Sequence, residues 1–391
     1  MTFKIVQPEE MEQVRDLWNY SFEKYDDPFF QWYFHYYCGS ENTVVGGFDQ
    51  QGHLQNMLHV NPYLVKLRDK LWDMPYIVGV ATAPEARGQH LFRPLLRYTC
   101  QLLQREEVPF VFLMPIQAGI YLPYEFSYCY YRHSYQWSLD QLQLPSIGSE
   151  LLVQRKHLQQ ATELPLLYAE LTADWNGVPL RDQEQWSKLL TVHQAEQVHC
   201  ALVYEEGKPS GYLLYKLAEG VLTIIEFLAA DFPSRNRLLL FAASHRSEAK
   251  EIHWLAEPWD KTYLHLPRQE QSGSLQPFMM ARCLNAAQAL VAHTPPEPML
   301  ASVVLELTDS LLEENNWYCH CQVVMDHVEL QPTKLPPDIC MDMAAFTQMY
   351  FGAYTATELA EAGRITVHNT AQLAVLDKLF PKCRNYINEY F

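Results

Sequence analysis

In APEARGQHLFRPLL, residues 83–96, a short loop carrying Arg87 and Gly88 feeds a stretch whose apolar residues recur at helical spacing. The run before it, YIVGVAT at 76–82, has the short apolar pattern of a strand. The run LFRPLLRYTCQLLQREE, 91–107, predicts an amphipathic helix, with Pro94 confined to its first turn or two. A strand that ends near Thr82 and a helix that starts near Leu91 leave the helix's first N–H groups unpaired and facing the loop. The helix dipole favours an anion there. Glycine lets a backbone come close to a phosphate, and Arg87 adds a fixed positive charge. A pyrophosphate is the natural guest. The lysine and serine or threonine of a nucleoside-triphosphate loop are missing, and so are the three spaced glycines and the acidic ribose ligand of a dinucleotide turn.

Upstream, FKIV predicts a strand and QPEEMEQVRDLWNYSF a helix, with Pro8 in its first turn and Met11, Val14, Leu17 and Trp18 on one face. TVVGGFDQQGHLQNMLHV predicts a hairpin turning at residues 49–52, and PYLVKL another strand. Downstream, PFVFLMP is a short buried strand, YEFSY a turn or helix fragment, and YYRHSYQWSL a strand. Residues 1 to about 140 therefore predict a mixed sheet with helices on both faces. The order hairpin, strand, helix, strand recurs in HCALVYEEGKPSGYLLYKL, VLTIIEFLAAD, PSRNRLLLFAASHRSEA and EIHWLAE, with Ser234 a candidate helix cap. In this second copy AADFPSRNR stands where the first has APEARGQHLFR, so no glycine lies between strand and helix. The last third bends at TPPEP, continues as strands, and ends in helices broken near Gly352. Boundaries fall near residues 145 and 285.

The 391 residues include 48% apolar side chains, enough for two or three domains with a sizeable core. No apolar run is long enough to cross a membrane, and the amino-terminal stretch has no secretory h-region. Nine scattered cysteines suit a reducing compartment, so a cytoplasmic location is expected. A formal charge of −17 disfavours nucleic acid and anionic membranes as partners and is compatible with a cationic substrate.

The stretches VATAPEARGQHLFRPLL and FVFLMPIQAGIYLPYEFSY resemble the acetyl-CoA site of the GNAT superfamily. The three-part layout is similar to the Eis (enhanced intracellular survival) family of N-acetyltransferases, and DICMDMAAFTQMYFGAYTATELAEAGRI and the INEYF end resemble that family's last domain. The resemblance implies an α/β (α+β) fold: two GNAT-like mixed-sheet domains plus a carboxy-terminal sterol-carrier-protein-like α+β domain. Placed on this chain, these are a catalytic domain at 1–145, a second GNAT-like domain without the cofactor turn at 146–285, and the carrier-like domain at 286–391. It also implies acetyl transfer from acetyl-CoA to a small-molecule or peptide amine, and a homo-oligomer, a hexamer in the family.

By the same resemblance, the pyrophosphate lies on the backbone of Arg87, Gly88, Gln89, His90 and Leu91, and Val80 and Thr82 pair with the pantetheine arm. The family usually has glycine where this chain has His90, which can still donate its N–H where its φ is negative. The motif AGIYLPYEF selects Tyr121, rather than its neighbour Tyr124, as the proton donor to the departing thiolate. The carboxylate of Phe391, the last residue given, takes the role of base. Two other readings stand beside this one: a non-catalytic acyl-CoA or lipid-binding sensor, and an acyltransferase for longer acyl groups.

The acceptor end is less specified. YSFEKYDDPFFQWYFHYY is dense in rings: Phe22, Tyr25, Phe30, Trp32 and Phe34 are candidate walls, with Glu23, Asp26 or Asp27 to meet an ammonium, although several of these rings belong to a helix with a core face. No metal is expected. In WYCHCQVVMDH, Cys319 and Cys321 share one face of a strand and no second cysteine pair follows at zinc spacing.

Overall fold

The computed structural model describes residues 1–38, 41–269 and 273–390. The chain begins with strand β1 (Thr2–Ile5), helix α1 (Met11–Ser21) and helix α2 (Pro28–Tyr36), which Asp27 caps by accepting the Phe29 N–H. Strands β2 (Thr43–Phe48) and β3 (Leu54–Asn61) form the expected hairpin. A second hairpin, β4 (Leu64–Leu67) and β5 (Lys70–Asp73), turns through Arg68 and Asp69, both left-handed. Strand β6 (Tyr76–Thr82), helix α3 (Phe92–Arg105), strand β7 (Phe110–Leu113) and the two-residue strand β8 (Ser127–Tyr128) complete this part. Pro94 is the third residue of α3, where a missing N–H removes no helical bond. Helix α3 buries Leu95, Leu96, Thr99, Cys100 and Leu103, and the FVFL run of β7 is buried throughout.

Contacts divide the chain into two compact units. The first holds residues 1–130, residues 176–179 and the chain from Phe278 onward. Its main sheet runs in the order β1, β2, β3, β6, β7, Met280–Cys283, β8. A second sheet in this unit runs His327–Pro332, Trp317–Met325, Met299–Thr308, Ile339–Asp342, Ile365–Val367, backed by the wholly buried helix Met343–Tyr350. Cys319 and Cys321 are buried on one face of the strand Trp317–Met325, and among the described residues no group of three or more His, Cys, Asp or Glu could hold a metal ion.

The second unit, Tyr131–Trp175 with Leu180–Pro277, carries the repeated order of elements in its own seven-stranded sheet. Two strands do not follow sequence order. Tyr131–Ser138 belongs to the second unit's sheet, although it follows β8 directly, and Met280–Cys283 pairs with β7 and β8 of the first. The two-residue β8 is too short to cover β7, and the fully buried Met280–Cys283 does so. Helix Phe232–Ala243 is capped by Asp231, which accepts the Ser234 N–H, so Ser234 is the receiving residue and not the cap. The Asp231 carboxylate thus meets the helix end that an anion would otherwise meet.

Candidate active site

Strand β6 pairs with β3 along its length, except at a bulge where Gly79 and Val80 together oppose Leu58. Gly79 sits at φ +58, which glycine tolerates. A Cβ there would come within 2.4 Å of the Trp18 ring. On its other side β6 pairs with β7 at a single position, Tyr76 opposite Phe112. Beyond that pair the two parallel strands part, and β6 presents an unladdered edge. Val80 and Thr82 lie on this open stretch, half-buried. An amide-bearing arm can add to such an edge as another strand would.

The turn that follows begins with a single helical turn, Pro84–Ala86. Gly88 stands at φ +78, with nothing within 4 Å of where a Cβ would be. His90 stands at φ +55, and not at the negative φ under which it was expected to donate its N–H. The backbone N–H groups of residues 88–93 have no acceptor among the described residues, and Leu91, the N-cap of α3, caps nothing with its side chain. Asn56 pins the turn by donating from Nδ2 to the Leu91 carbonyl at 2.9 Å. Gln89 folds back onto the Glu85 carbonyl at 3.2 Å. Arg87 lies over the Tyr20 ring and donates to the Thr82 carbonyl at 3.4 Å. Unpaired N–H groups, a helix amino end and one guanidinium fit a pyrophosphate, and with the open edge of β6 they fit acetyl-CoA.

His90→Gly should stabilise the protein by about 0.5–1 kcal/mol, because a left-handed residue with a Cβ carries strain that glycine does not. Urea unfolding with unchanged m measures this. A loss of stability would show instead that the imidazole holds the turn.

Tyr121 follows a short helical turn, Ala118–Ile120, and begins another, Leu122–Tyr124. Its ring meets Phe92 and Phe126 edge-on, at 5.6 and 5.9 Å. Its hydroxyl has no hydrogen-bond partner among the described residues. Burial pushes its pKa up to about 12. The hydroxyl is therefore a proton donor throughout the working range. Tyr124 also packs on Phe92, at 5.5 Å, but does not line the cavity that Tyr121 faces.

That cavity encloses about 210 Å³. Its walls are Trp18, Phe22 and Glu23 from the end of α1 and the turn after it, Phe29 and Tyr33 from α2, and Tyr76 to Val80 of β6. Met114 and Ile116, beyond β7, and Tyr390 complete it. Trp18 donates its indole N–H to Glu23 Oε2 at 2.9 Å. Tyr33 donates its hydroxyl to Asn61 Oδ1 at 2.9 Å, behind the aromatic wall. His59, fully buried in the same cluster, has its pKa driven down to about 3 by burial and is neutral. The extended tail reaches the cavity at Tyr390, whose carbonyl accepts from the Tyr76 hydroxyl at 3.4 Å. Phe391 lies outside the described residues.

Of the acceptor candidates, Phe22 and Glu23 line the cavity. Tyr25 and Asp26 do not: Tyr25 is exposed and donates its hydroxyl to Asp16, Asp26 is exposed, and Asp27 is the cap of α2. Phe30, Trp32 and Phe34 are buried and do not line it. Trp18, Phe29, Tyr33 and Tyr76 line it without having been singled out. The helical pairings of Trp18 with Phe22 and of Phe29 with Tyr33, each at i and i+4, were the signal available for three of them.

A family model described as an acetyltransferase (GNAT) domain matches residues 2–129, the stretch that carries this site, and another so described matches residues 177–283. The chain carries two GNAT acetyltransferase domains. A sterol carrier protein domain model matches residues 286–388, so this GNAT enzyme carries a third part. No curated protein matches it in sequence. It shares its fold over 100% of its length with a GCN5-related N-acetyltransferase from Anabaena variabilis, covering 100% of that chain at TM-score 0.84 and 21% identity. A conserved protein from Enterococcus faecalis described as a probable N-acyltransferase matches over 100% of this chain and 99% of its own, at TM-score 0.88 and 20% identity. Eis1 from Mycobacterium abscessus matches over 100% of both chains, at TM-score 0.76 and 17% identity. The Eis resemblance, read from the three-part layout and from the stretches at 76–131 and 338–391, agrees with the fold shared over the whole chain.

Proposed function

We propose that this acetyltransferase moves the acetyl group of acetyl-CoA to a primary amine by direct attack. Tyr121 serves as general acid and the carboxylate of Phe391 as general base. The observation that carries the reading is the convergence, on one cavity, of the open edge of β6, the buried residue Tyr121 and the chain's Tyr390. Residues 88–93 would hold the pyrophosphate on their N–H groups, and Val80 and Thr82 would guide the arm so that the thioester meets the cavity.

An alkyl ammonium, with a pKa of about 10.4, must lose its proton before it attacks. The Phe391 carboxylate takes that proton, the amine nitrogen bonds to the carbonyl carbon, the C–S bond breaks, and the nitrogen's surplus proton restores the Tyr121 hydroxyl through water. The sulfur leaves as a thiolate that accepts a hydrogen bond, and then a proton, from Tyr121. The Eis resemblance assigns the base to the carboxylate of Phe391, and the presence of Tyr390, the residue before it, in the cavity lining supports that role. A carboxylate of pKa near 3.5 is a weak base in water, and burial strengthens it.

The test is thiol release from acetyl-CoA across a panel of amines, with the intact chain and with one lacking Phe391. Release with at least one amine is expected. The shortened chain should lose more than about tenfold, or about 1.4 kcal/mol of barrier, while still binding acetyl-CoA. Unchanged release would remove Phe391 from the mechanism. No release with any amine despite tight acyl-CoA binding would favour the sensor reading.

A further inference from the structure

After the helix Ala371–Leu379 the described chain forms no further helix or strand, only a bridge at Asn385. Such an end frays unless something ties it down. Its Tyr390 nevertheless lines the cavity beside Tyr121. Two bonds near that end are long: Tyr63 donates to Glu389 Oε2, and Tyr76 to the Tyr390 carbonyl, each at 3.4 Å. The firm attachment lies earlier, at Asn176, in the short stretch Asn176–Pro179 that belongs to the first unit. Asn176 donates its backbone N–H to the Arg384 carbonyl at 2.9 Å and accepts the Tyr386 N–H at 3.0 Å, a parallel bridge across Asn385. Its side-chain Oδ1 accepts the Arg68 N–H at 2.7 Å. Its Nδ2 donates to the Phe351 carbonyl at 3.1 Å and to Asn385 Oδ1 at 2.5 Å. Asn385 donates in turn to the Cys129 carbonyl at 3.0 Å. Both asparagines are buried. Only an amide offers two donors and an acceptor on so short a stem; an aspartate would offer no donor. Asn176 is itself held firmly. The Gly177 N–H donates to the Lys66 carbonyl at 2.7 Å, and Val178 and Pro179 pair with Lys66 and Val65 of β4. Gly177 stands at φ +67, where a Cβ would come within 2.6 Å of the Tyr130 hydroxyl.

We propose that Asn176, together with Asn385, is the clasp that holds the tail at the cavity, and a positioning residue for the base. The proposal rests on the transfer reading above, which makes the carboxylate of Phe391 that base. A base acts only within hydrogen-bond reach of the proton it takes, and a misplacement of about 1 Å can cost about 10²-fold in rate. The clasp fixes the backbone at Arg384 to Tyr386 and so limits how far the residues beyond can stray. It touches neither the cofactor turn nor Tyr121, so its loss is felt through the tail. Removing either amide leaves buried donors and acceptors unpaired, which favours a tail that swings out to water.

The experiment compares Asn176→Ala and the milder Asn385→Ala with the wild-type chain, each with and without Phe391. Thiol release from acetyl-CoA is followed with an amine that the wild type accepts. Each substitution should lower kcat about tenfold or more and leave the KM for acetyl-CoA within about twofold. In the chain lacking Phe391 each should change kcat by less than about twofold, because no base remains to be placed. Release of the terminal residue by carboxypeptidase A, which needs no amine, should quicken about fivefold or more in either variant. Equal kcat losses with and without Phe391 would mean that the asparagines serve packing alone, and overturn the proposal. A kcat within about twofold of wild type in both variants also overturns it and leaves the transfer reading in place. Faster terminal release in the variants, with no thiol release by the wild type, supports the clasp and removes the transfer reading. Unchanged terminal release in both variants overturns the clasp. Where Asn176→Ala fails to fold, Asn385→Ala decides alone, since it leaves the bonds of Asn176 to Arg68 and Phe351 intact.

Discussion

Tyr121→Phe should lower kcat by about 10²-fold, the smaller end of what a positioned general acid supplies, equivalent to about 2.7 kcal/mol of barrier. The ring is retained, so its edge contacts with Phe92 and Phe126 survive and acetyl-CoA affinity should stay within about twofold. The lost group is a hydroxyl that burial holds protonated up to about pH 12. An alkyl thiol loses its proton near 8.5. A phenol that much weaker as an acid does not simply hand its proton over. It first stabilises the leaving sulfur as a hydrogen-bond donor, and the proton follows as the attacking nitrogen gives up its own. Two consequences separate this role from mere packing. Between pH 7 and 10 the wild-type rate should show no falling limb caused by Tyr121. A thioester with a more acidic leaving thiol should also narrow the gap between wild type and variant, because its thiolate needs less help. An equal loss with both thioesters would mean that the hydroxyl only shapes the cavity.

The backbone of the candidate cofactor turn was legible because it depends on local sequence. A strand, a Gly88 free of neighbours and an amphipathic helix follow from short-range pattern, and the structure keeps all three. His90 was legible as an oddity, but its left-handed φ was not, since the turn sets that angle and the side chain tolerates it. The acceptor wall was only half readable. In YSFEKYDDPFFQWYFHYY helical spacing cannot say which rings face β6, because Phe29 and Tyr33 reach the cavity while Phe30 and Phe34, one residue further on, fill the core. Met280–Cys283 was unreadable for a different reason. Its ladder with β7 joins residues some 170 positions apart, and nothing local records a pairing over that distance.

The buried ion partner of Arg282, on that same strand, is the residue whose loss should be felt most in stability. Asp309→Ala should cost about 3–5 kcal/mol, the range for removing one partner of a fully buried ion pair. Arg282, on the strand Met280–Cys283, has no exposed side-chain surface, and neither has Asp309. The guanidinium meets both carboxylate oxygens at 2.6 Å. The carboxylate also accepts the backbone N–H groups of Leu311 and Leu312 at 2.8 and 2.9 Å, and the Asn315 amide at 2.8 Å. Removing it strands a buried charge and three donors together. Against a typical total stability of about 5–15 kcal/mol this is severe, and urea unfolding should show it as a much lower midpoint. The pair also reaches the site: Arg282 donates from Nη1 to the carbonyl of Tyr124, in the turn that Tyr121 begins. Replacing both partners with apolar residues of similar volume, Arg282→Met with Asp309→Leu, should recover much of the stability, because no lone charge is left behind. It should not recover the full kcat, because Tyr124 loses its donor and the turn that aims Tyr121 loses an anchor. Recovery of stability and kcat together would show that packing alone fixes the loop. Recovery of stability with a kcat still reduced several-fold would make the ion pair a positioning element for the acid.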